Sequence, residues 1–183
     1  DFETIVNTDT FTPKFKINDI VSINVSAYDL VAAAPFNLVS AGSVGTSIDY
    51  IVDIEGNIDF PVLGKIKLLG LTVEEAKQLI KAKLSEGYLK DAVVNIRILN
   101  FRISILGAVG SPGVYPVSGE RINLLEAIAN AGDLSLKGRR DNILVIRDFN
   151  GAKTYTRIDI TNKEMFNSPV YFLTQNDVVY VEP

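Results

Sequence analysis

Short runs in which apolar residues alternate with polar ones at a period of two recur along this chain, and only two clear stretches change to the period of a helix. That pattern restricts the fold to short strands packed with very few helices. Val21, Ile23 and Val25 alternate with Ser22, Asn24 and Ser26, as a half-buried strand does. Val94, Ile96 and Ile98 repeat the pattern, as do Phe101, Ile103 and Ile105. Tyr50 to Ile54, the Glu55-Gly56-Asn57 turn, and then Ile58 and Phe60 read as a hairpin. Leu144 and Ile146, the pair Asn150-Gly151, and Tyr155 onward read as a second, and Val178 to Val181 closes the chain as a strand.

The first helix is expected over Val73 to Ser85. Thr72 stands at its N-cap with Glu75 three residues on, a capping box in which each side chain satisfies a backbone N–H of the first turn. Val73, Ala76, Leu79, Ile80 and Leu84 share one face, opposite Glu74, Lys77, Lys81 and Lys83. The second helix is expected over Leu124 to Ala131, with Asn123 and Glu126 in the same spacing and Gly132 as its stop. Its buried face is Leu124, Leu125, Ile128 and Ala131. Thr161 and Glu164 repeat the spacing before a third, short turn.

Two internal echoes suggest duplicated architecture. Thr72-Val73-Glu74-Glu75-Ala76 resembles Asn123-Leu124-Leu125-Glu126-Ala127, and Asn18-Asp19-Ile20-Val21 resembles Asn176-Asp177-Val178-Val179. In 183 residues with 47% apolar and 22% charged side chains, this reads as an α+β chain of two small modules, 14–99 and 100–183. Each would carry a sheet and one main helix.

Absent residue types exclude much chemistry. With no Cys, His or Trp, the chain has no thiol nucleophile, imidazole base or Cys/His zinc site. A net charge of −4 argues against nucleic acid as a partner. The richest apolar run, Leu30 to Gly42, is broken by Pro35, Asn37 and Ser40 and is too short to span a bilayer. The chain opens on Asp1, without the charged and apolar regions of a signal peptide, so removal of such a segment is one reading.

What remains is a short set of candidates. Asp53, Glu55 and Asp59 gather carboxylates around one hairpin, but without calcium-loop spacing they read as solvated turn residues. Ser43, in Ala41-Gly42-Ser43-Val44-Gly45, lacks any base to activate it. Asp29 to Asp49 reads as a long exposed loop, a place for contact and not catalysis. Gly107, Gly110 and Gly113 miss both nucleotide-loop spacings, and Ser111-Pro112-Gly113 reads as a tight turn between strands. Asn24-Val25-Ser26 fits a glycosylation sequon inside a strand. Lys137, Arg139 and Arg140 form the one basic cluster, able to meet a polyanion or a neighbouring subunit, or simply solvated. No catalytic, cofactor or metal residues are expected.

A resemblance extends this reading. Phe15-Lys16-Ile17-Asn18-Asp19, Val21, Ile23 and Val25, Val52-Asp53, Gly56-Asn57-Ile58, Phe60-Pro61, Gly64-Lys65-Ile66, Gly70-Leu71-Thr72 and Glu75-Ala76 follow one another in this order. The set resembles the export domain of the polysaccharide export outer-membrane family (Wza-type). Gly107-Ala108-Val109, Pro112-Gly113-Val114-Tyr115, Leu125 to Ile128, Ala131-Gly132, Asn176 to Val181 and Pro183 resemble the soluble-ligand-binding β-grasp (SLBB) domain that follows it. Asn18 and Asp133 stand where that family commonly has Gly, and the Asp29 to Asp49 loop is longer than usual.

The resemblance implies a non-enzymatic, cofactor-free conduit on the periplasmic side of the outer membrane. There a homo-oligomeric ring, working with an inner-membrane polysaccharide copolymerase, would pass capsular or extracellular polysaccharide. Family members carry a lipidated Cys and a C-terminal amphipathic helix; this sequence shows neither, so it is either a trimmed chain or a member without them, and membrane contact would come only through such segments. The alternative is a module that binds a small soluble ligand or carbohydrate. A carboxylate-dependent hydrolase is the weakest reading, since acid/base signatures are missing.

Overall fold

The computed structural model describes residues 12–42, 47–149 and 151–183; Ser43 and Asn150 lie outside them. The chain divides into two compact units that meet in sequence between Asn100 and Phe101, and the architecture is α+β.

In the first unit, Lys14–Asn100, β1 (Ile20–Ser26) is the middle of a three-stranded antiparallel sheet. Its neighbours are β2 (Tyr50–Ile51) and β5 (Val93–Ile98), with Ile23 opposite Ile96 and Val25 opposite Val94. The alternation does what it must: Val21, Ile23 and Val25 are buried while Asn24 and Ser26 are exposed. Asn24 of the sequon lies in this strand, where the Ser26 hydroxyl donates to its side-chain oxygen. The helix α2 (Val73–Ser85) carries the full Thr72–Glu75 capping box and buries Ala76, Ile80 and Leu84. These join Phe15, Val21, Val52, Ile58, Ile66 and Leu68 in one core, against which Val73 and Leu79 are only half-buried.

Two expectations for this unit are corrected. Tyr50 to Ile54 does not form a hairpin ladder with Ile58 and Phe60. β2 pairs with β1, whereas β3 (Asn57–Phe60) pairs with β4 (Gly64–Lys67) across Pro61-Val62-Leu63. Apolar alternation reports which face a residue takes and not which strand it pairs with. The stretch after Asp29 is not wholly loop either. It opens with α1 (Leu30–Ala33), whose first N–H groups are capped by the Asp29 carboxylate, followed by a 3-10 turn (Ala34–Phe36). Ala33 and Phe36 are buried, which draws this turn into the core.

The second unit holds a five-stranded sheet in the order β10-β9-β12-β6-β7. Its strands are β6 (Arg102–Gly107), β7 (Gly113–Pro116), β9 (Ile143–Phe149), β10 (Ala152–Ile158) and β12 (Val178–Val181). β12 runs parallel to β6 and antiparallel to β9. A small pair, β8 (Ile122–Asn123) with β11 (Phe172–Leu173), stands beside it. The helix α3 (Leu124–Asn130) is opened by the Asn123–Glu126 capping box and ends one residue earlier than expected, with Ala131 as its C-cap. Leu125, expected inside, is exposed, while Ala127 is buried in its place. The inward row of the sheet is Ile103, Ile105, Ile143, Val145, Val179 and Val181, all without exposed surface.

Two further details differ from expectation. The third turn is capped by Asn162 and not Thr161; Thr161 instead closes on the Asp159 carboxylate through its N–H and its hydroxyl. The link from β6 to β7 is longer than a tight turn. Gly110 and Ser111 donate to the carbonyls of Asp133 and Ala131, and Ser135 donates to Ala108, so the glycines serve close backbone approach. At Gly107, with φ +91°, a Cβ would lie 2.1 Å from the Val181 carbonyl oxygen.

Candidate contact site on the second unit

The basic cluster lies where three strands of the five-stranded sheet end together. Ile143 at the start of β9 is opposite Ile158 of β10 on one side and Val181 of β12 on the other. Residues leading into β9, finishing β10 and following β12 therefore share one corner. The Arg139 N–H donates to the Glu182 carbonyl at 2.8 Å and the Ile160 N–H to the Arg140 carbonyl at 3.0 Å, which ties the 137–140 loop to both flanks. Gly138 lets that loop approach: a Cβ there would be 2.7 Å from the Ala108 oxygen.

Lys137, Arg139 and Arg140 are all exposed in this corner. Arg139 is not a free cation. Its Nε and Nη2 donate to the two Asp141 carboxylate oxygens at 3.2 and 3.0 Å, and its Nη1 lies 3.9 Å from Glu182. Glu182 accepts from Asn142 Nδ2 at 2.6 Å and from Arg157 Nη1 at 3.0 Å, and Arg157 also donates to Asn142 Oδ1. Lys137 and Arg140 make no ion pair among the described residues. The corner thus holds four cations and two carboxylates, a positive surplus on a chain of net charge −4.

These contacts set the ionisation of the corner. The guanidinium hydrogen bonds hold the Asp141 carboxyl below its ordinary value, and Asp141 in turn raises Arg139. Glu182 is lowered by the hydrogen bond from Arg157 first, with its charge and the Asn142 amide adding. Both carboxylates therefore favour the charged form more than a free side chain does. Arg157 and Glu182 carry no local signal for this corner, because their proximity comes from strand register, whereas Asp141 and Asn142 directly follow the basic cluster in the chain. Counting back from Asn150-Gly151 puts Arg157 opposite Leu144, the one signal that could have placed it.

The other candidates are placed elsewhere and serve the backbone. The Asp53 carboxylate accepts from the N–H groups of Glu55 and Asn57, both at 2.9 Å, and so closes its own turn. Glu55 pairs with Lys65 at 3.7 Å, and Asp59 stands opposite Lys65 in the hairpin register. No three His, Cys, Asp or Glu side chains among the described residues are arranged to hold a metal. Ser43 lies outside the described residues.

Charged groups that pair with one another at a surface, without convergence on a reacting position, suit contact better than bond-breaking. Comparison with known families bears on what the contact serves. Residues 10–99 match the model described as polysaccharide biosynthesis/export protein, and residues 102–181 match the SLBB domain that follows. The chain belongs to the polysaccharide export protein family with an SLBB domain. No curated protein matches it. Both matched families are transport or binding domains, and the export family is a periplasmic and outer-membrane component. No helix among the described residues is long and apolar enough to cross a membrane. Asn18 and Asp133, the positions noted above for lacking Gly, adopt φ +70° and +68°, the left-handed conformation that Asn and Asp tolerate best after Gly. The basic corner belongs to the SLBB-matched unit.

Proposed function

We propose that this polysaccharide export protein acts as the periplasmic part of an outer-membrane conduit, in which copies of the chain form a ring and a capsular or extracellular polysaccharide passes without being cleaved. The observation that carries this is the ordered pair of family matches, export module then SLBB, over almost the whole chain. The corner of Lys137, Arg139, Arg140 and Arg157 supports it, since exposed cations, of which Arg139 and Arg157 are held by carboxylates, offer weak contact to polymer or to a neighbouring subunit. An inner-membrane copolymerase would supply the polymer, and a lipid anchor outside this sequence would supply the membrane attachment. A closed ring requires heterologous contacts repeated about an axis. Native mass measurement and electron microscopy of the full-length gene product in detergent test this: a uniform ring is expected, and a monomer overturns it. The SLBB match also favours a second reading, a module that binds one small soluble ligand. Saturable binding of a single ligand by a monomer would select that reading.

A further inference from the structure

In the first unit, α1 (Leu30–Ala33) holds apolar side chains in water. Tyr28 is fully exposed, Leu30 is 78% exposed and Val31 83%. Single exposed apolar residues are ordinary, but three within four positions form a patch, and such patches mark contact sites. The turn that carries them is fixed from behind. Ala33 and Phe36 are buried, and the Phe36 ring packs against those of Phe60 and Tyr88, with centroids 6.4 and 5.9 Å away. Asn37 exchanges hydrogen bonds with the Val25 backbone, donating at 2.7 Å and accepting at 2.8 Å. Much of the backbone of the turn is already satisfied. The Asp29 carboxylate accepts from the N–H groups of Val31 and Ala32 at 3.0 and 3.1 Å, and the Asp29 carbonyl accepts from that of Ala33 at 3.1 Å. The Ala34 N–H donates to the Leu30 carbonyl, and the Asn37 amide donates to that of Ala33 at 3.2 Å. From Leu30 to Ile48 the sequence has no Asp, Glu, Lys or Arg, where the 22% charged share of the chain would place about four.

We propose that this projection dips into the headgroup boundary of a lipid bilayer whose headgroups are zwitterionic. Three observations select lipid. The side chains of Tyr28, Leu30 and Val31 stand clear of their own unit, so a protein partner would need a groove shaped to them, whereas a fluid bilayer needs none. A bilayer offers no hydrogen bonds to a backbone that leaves water, and the N–H groups of Val31, Ala32, Ala33 and Ala34 are already satisfied within the turn. A protein partner could supply such bonds itself. Tyr28 also pairs a ring with a hydroxyl, the side-chain type that settles at the headgroup level. The charges fix the lipid class. Asp29 and Asp49 bound the uncharged stretch, and no Lys or Arg lies in it to attract an anionic surface. The exposed Asp29 at the root of the projection keeps the insertion shallow. The contact is a property of this chain and does not depend on the ring or on a lipid anchor. Three side chains bury less than a myristoyl chain, which binds bilayers with a constant of about 10⁴ M⁻¹, so half-binding is expected at about millimolar lipid.

The chain has no Trp, so Tyr28→Trp gives a single fluorescent reporter at the tip. With vesicles of phosphatidylcholine and phosphatidylethanolamine, its emission should shift to the blue, and bromine placed near the headgroup should quench it more than bromine at the chain end. The unaltered chain should float with the same vesicles. A Leu30→Asp, Val31→Asp double variant should lose at least tenfold in that binding with its melting curve unchanged, because both side chains are exposed. Four outcomes overturn the proposal. One is no shift and no flotation at the highest lipid concentration, and another is flotation that the double variant retains. A third is a blue shift without lipid that grows with protein concentration, which would assign the projection to a protein contact. The fourth is binding only to vesicles containing phosphatidylglycerol and lost as salt rises, which would assign it to cations elsewhere on the chain.

Discussion

At the scale of single residues, the two units repeat one device. Asn18 and Asn176 both take positive φ, at +70° and +64°, and each is followed by a fully buried Asp that accepts the N–H three residues back, from Lys16 or Thr174. The sequence echo at these positions was legible because the turn is local and Asn-Asp is its chemistry. What Asp177 does beyond the turn was not legible, since its partner comes from another strand. Arg147 donates to both Asp177 oxygens, at 2.7 Å for the shortest bond, and to the Phe172 carbonyl at 2.9 Å. Replacing Arg147 by Met would leave a buried carboxylate without its counter-charge, so a loss of about 3–5 kcal/mol is expected in urea unfolding. Val62 is the reverse case, a β-branched residue at φ +68° and well exposed. Val62→Asn should raise stability by about 1 kcal/mol, since Asn accepts this conformation more readily. Glu182 provides the pH test. Its folded pKa lies below the ordinary value, so its stabilising contribution is complete above that ordinary value and is lost as pH falls through the lowered one. Carboxyl-carbon NMR should show this low midpoint, and Arg157→Gln should move it upward; an unmoved midpoint would assign the shift to another cause.

Elements were legible in proportion to how local their signals are. Both capping boxes were readable because four consecutive residues contain the whole interaction, and both form. Thr72→Ala and Asn123→Ala should each cost about 1 kcal/mol in thermal or urea unfolding. The helical face of α2 was readable only coarsely. Ile80 is completely buried and Leu79 only half so, hence Ile80→Ala should cost about 2–5 kcal/mol and Leu79→Ala clearly less. A larger loss at Leu79 would contradict the packing described. Strand pairing was the least readable feature. Tyr50 and Phe60 do meet, with ring centroids 5.5 Å apart, but through packing and not through a shared ladder. The hairpin that does form turns at Pro61-Val62-Leu63, where Val at a positive φ gives no turn signal. In the 29–49 stretch the helical turn was announced by Asp29, a good N-cap, but four helical residues are too few to show a period.

At the scale of the whole molecule, the α+β class and the two-part organisation were legible because each part repeats a turn, a strand and a capped helix. The candidate site was legible only as Lys137, Arg139 and Arg140; of the groups that restrain it, Asp141 and Asn142 follow directly in the chain, whereas Arg157 and Glu182 arrive through register and chain reversal. That restraint bears directly on cargo. A conduit has to release its polymer, so attraction at any one point must be weak, as conduction through pores requires. Two of the four cations of the corner already face carboxylates, and the net charge of −4 opposes an acidic chain at longer range. Lys137 and Arg140 are left to supply most of the attraction, and they do so in water, where screening is strong. Short fragments of the cognate polysaccharide should therefore bind with an affinity of about millimolar or weaker. That residual binding should fall as salt rises, and fall further in a Lys137→Ala, Arg140→Ala double variant. Isothermal titration of the purified chain across a salt series reads all three. Micromolar binding at a single site, insensitive to salt and to those substitutions, would instead describe a protein built to hold its ligand, and the conduit would have to be given up for the binding module.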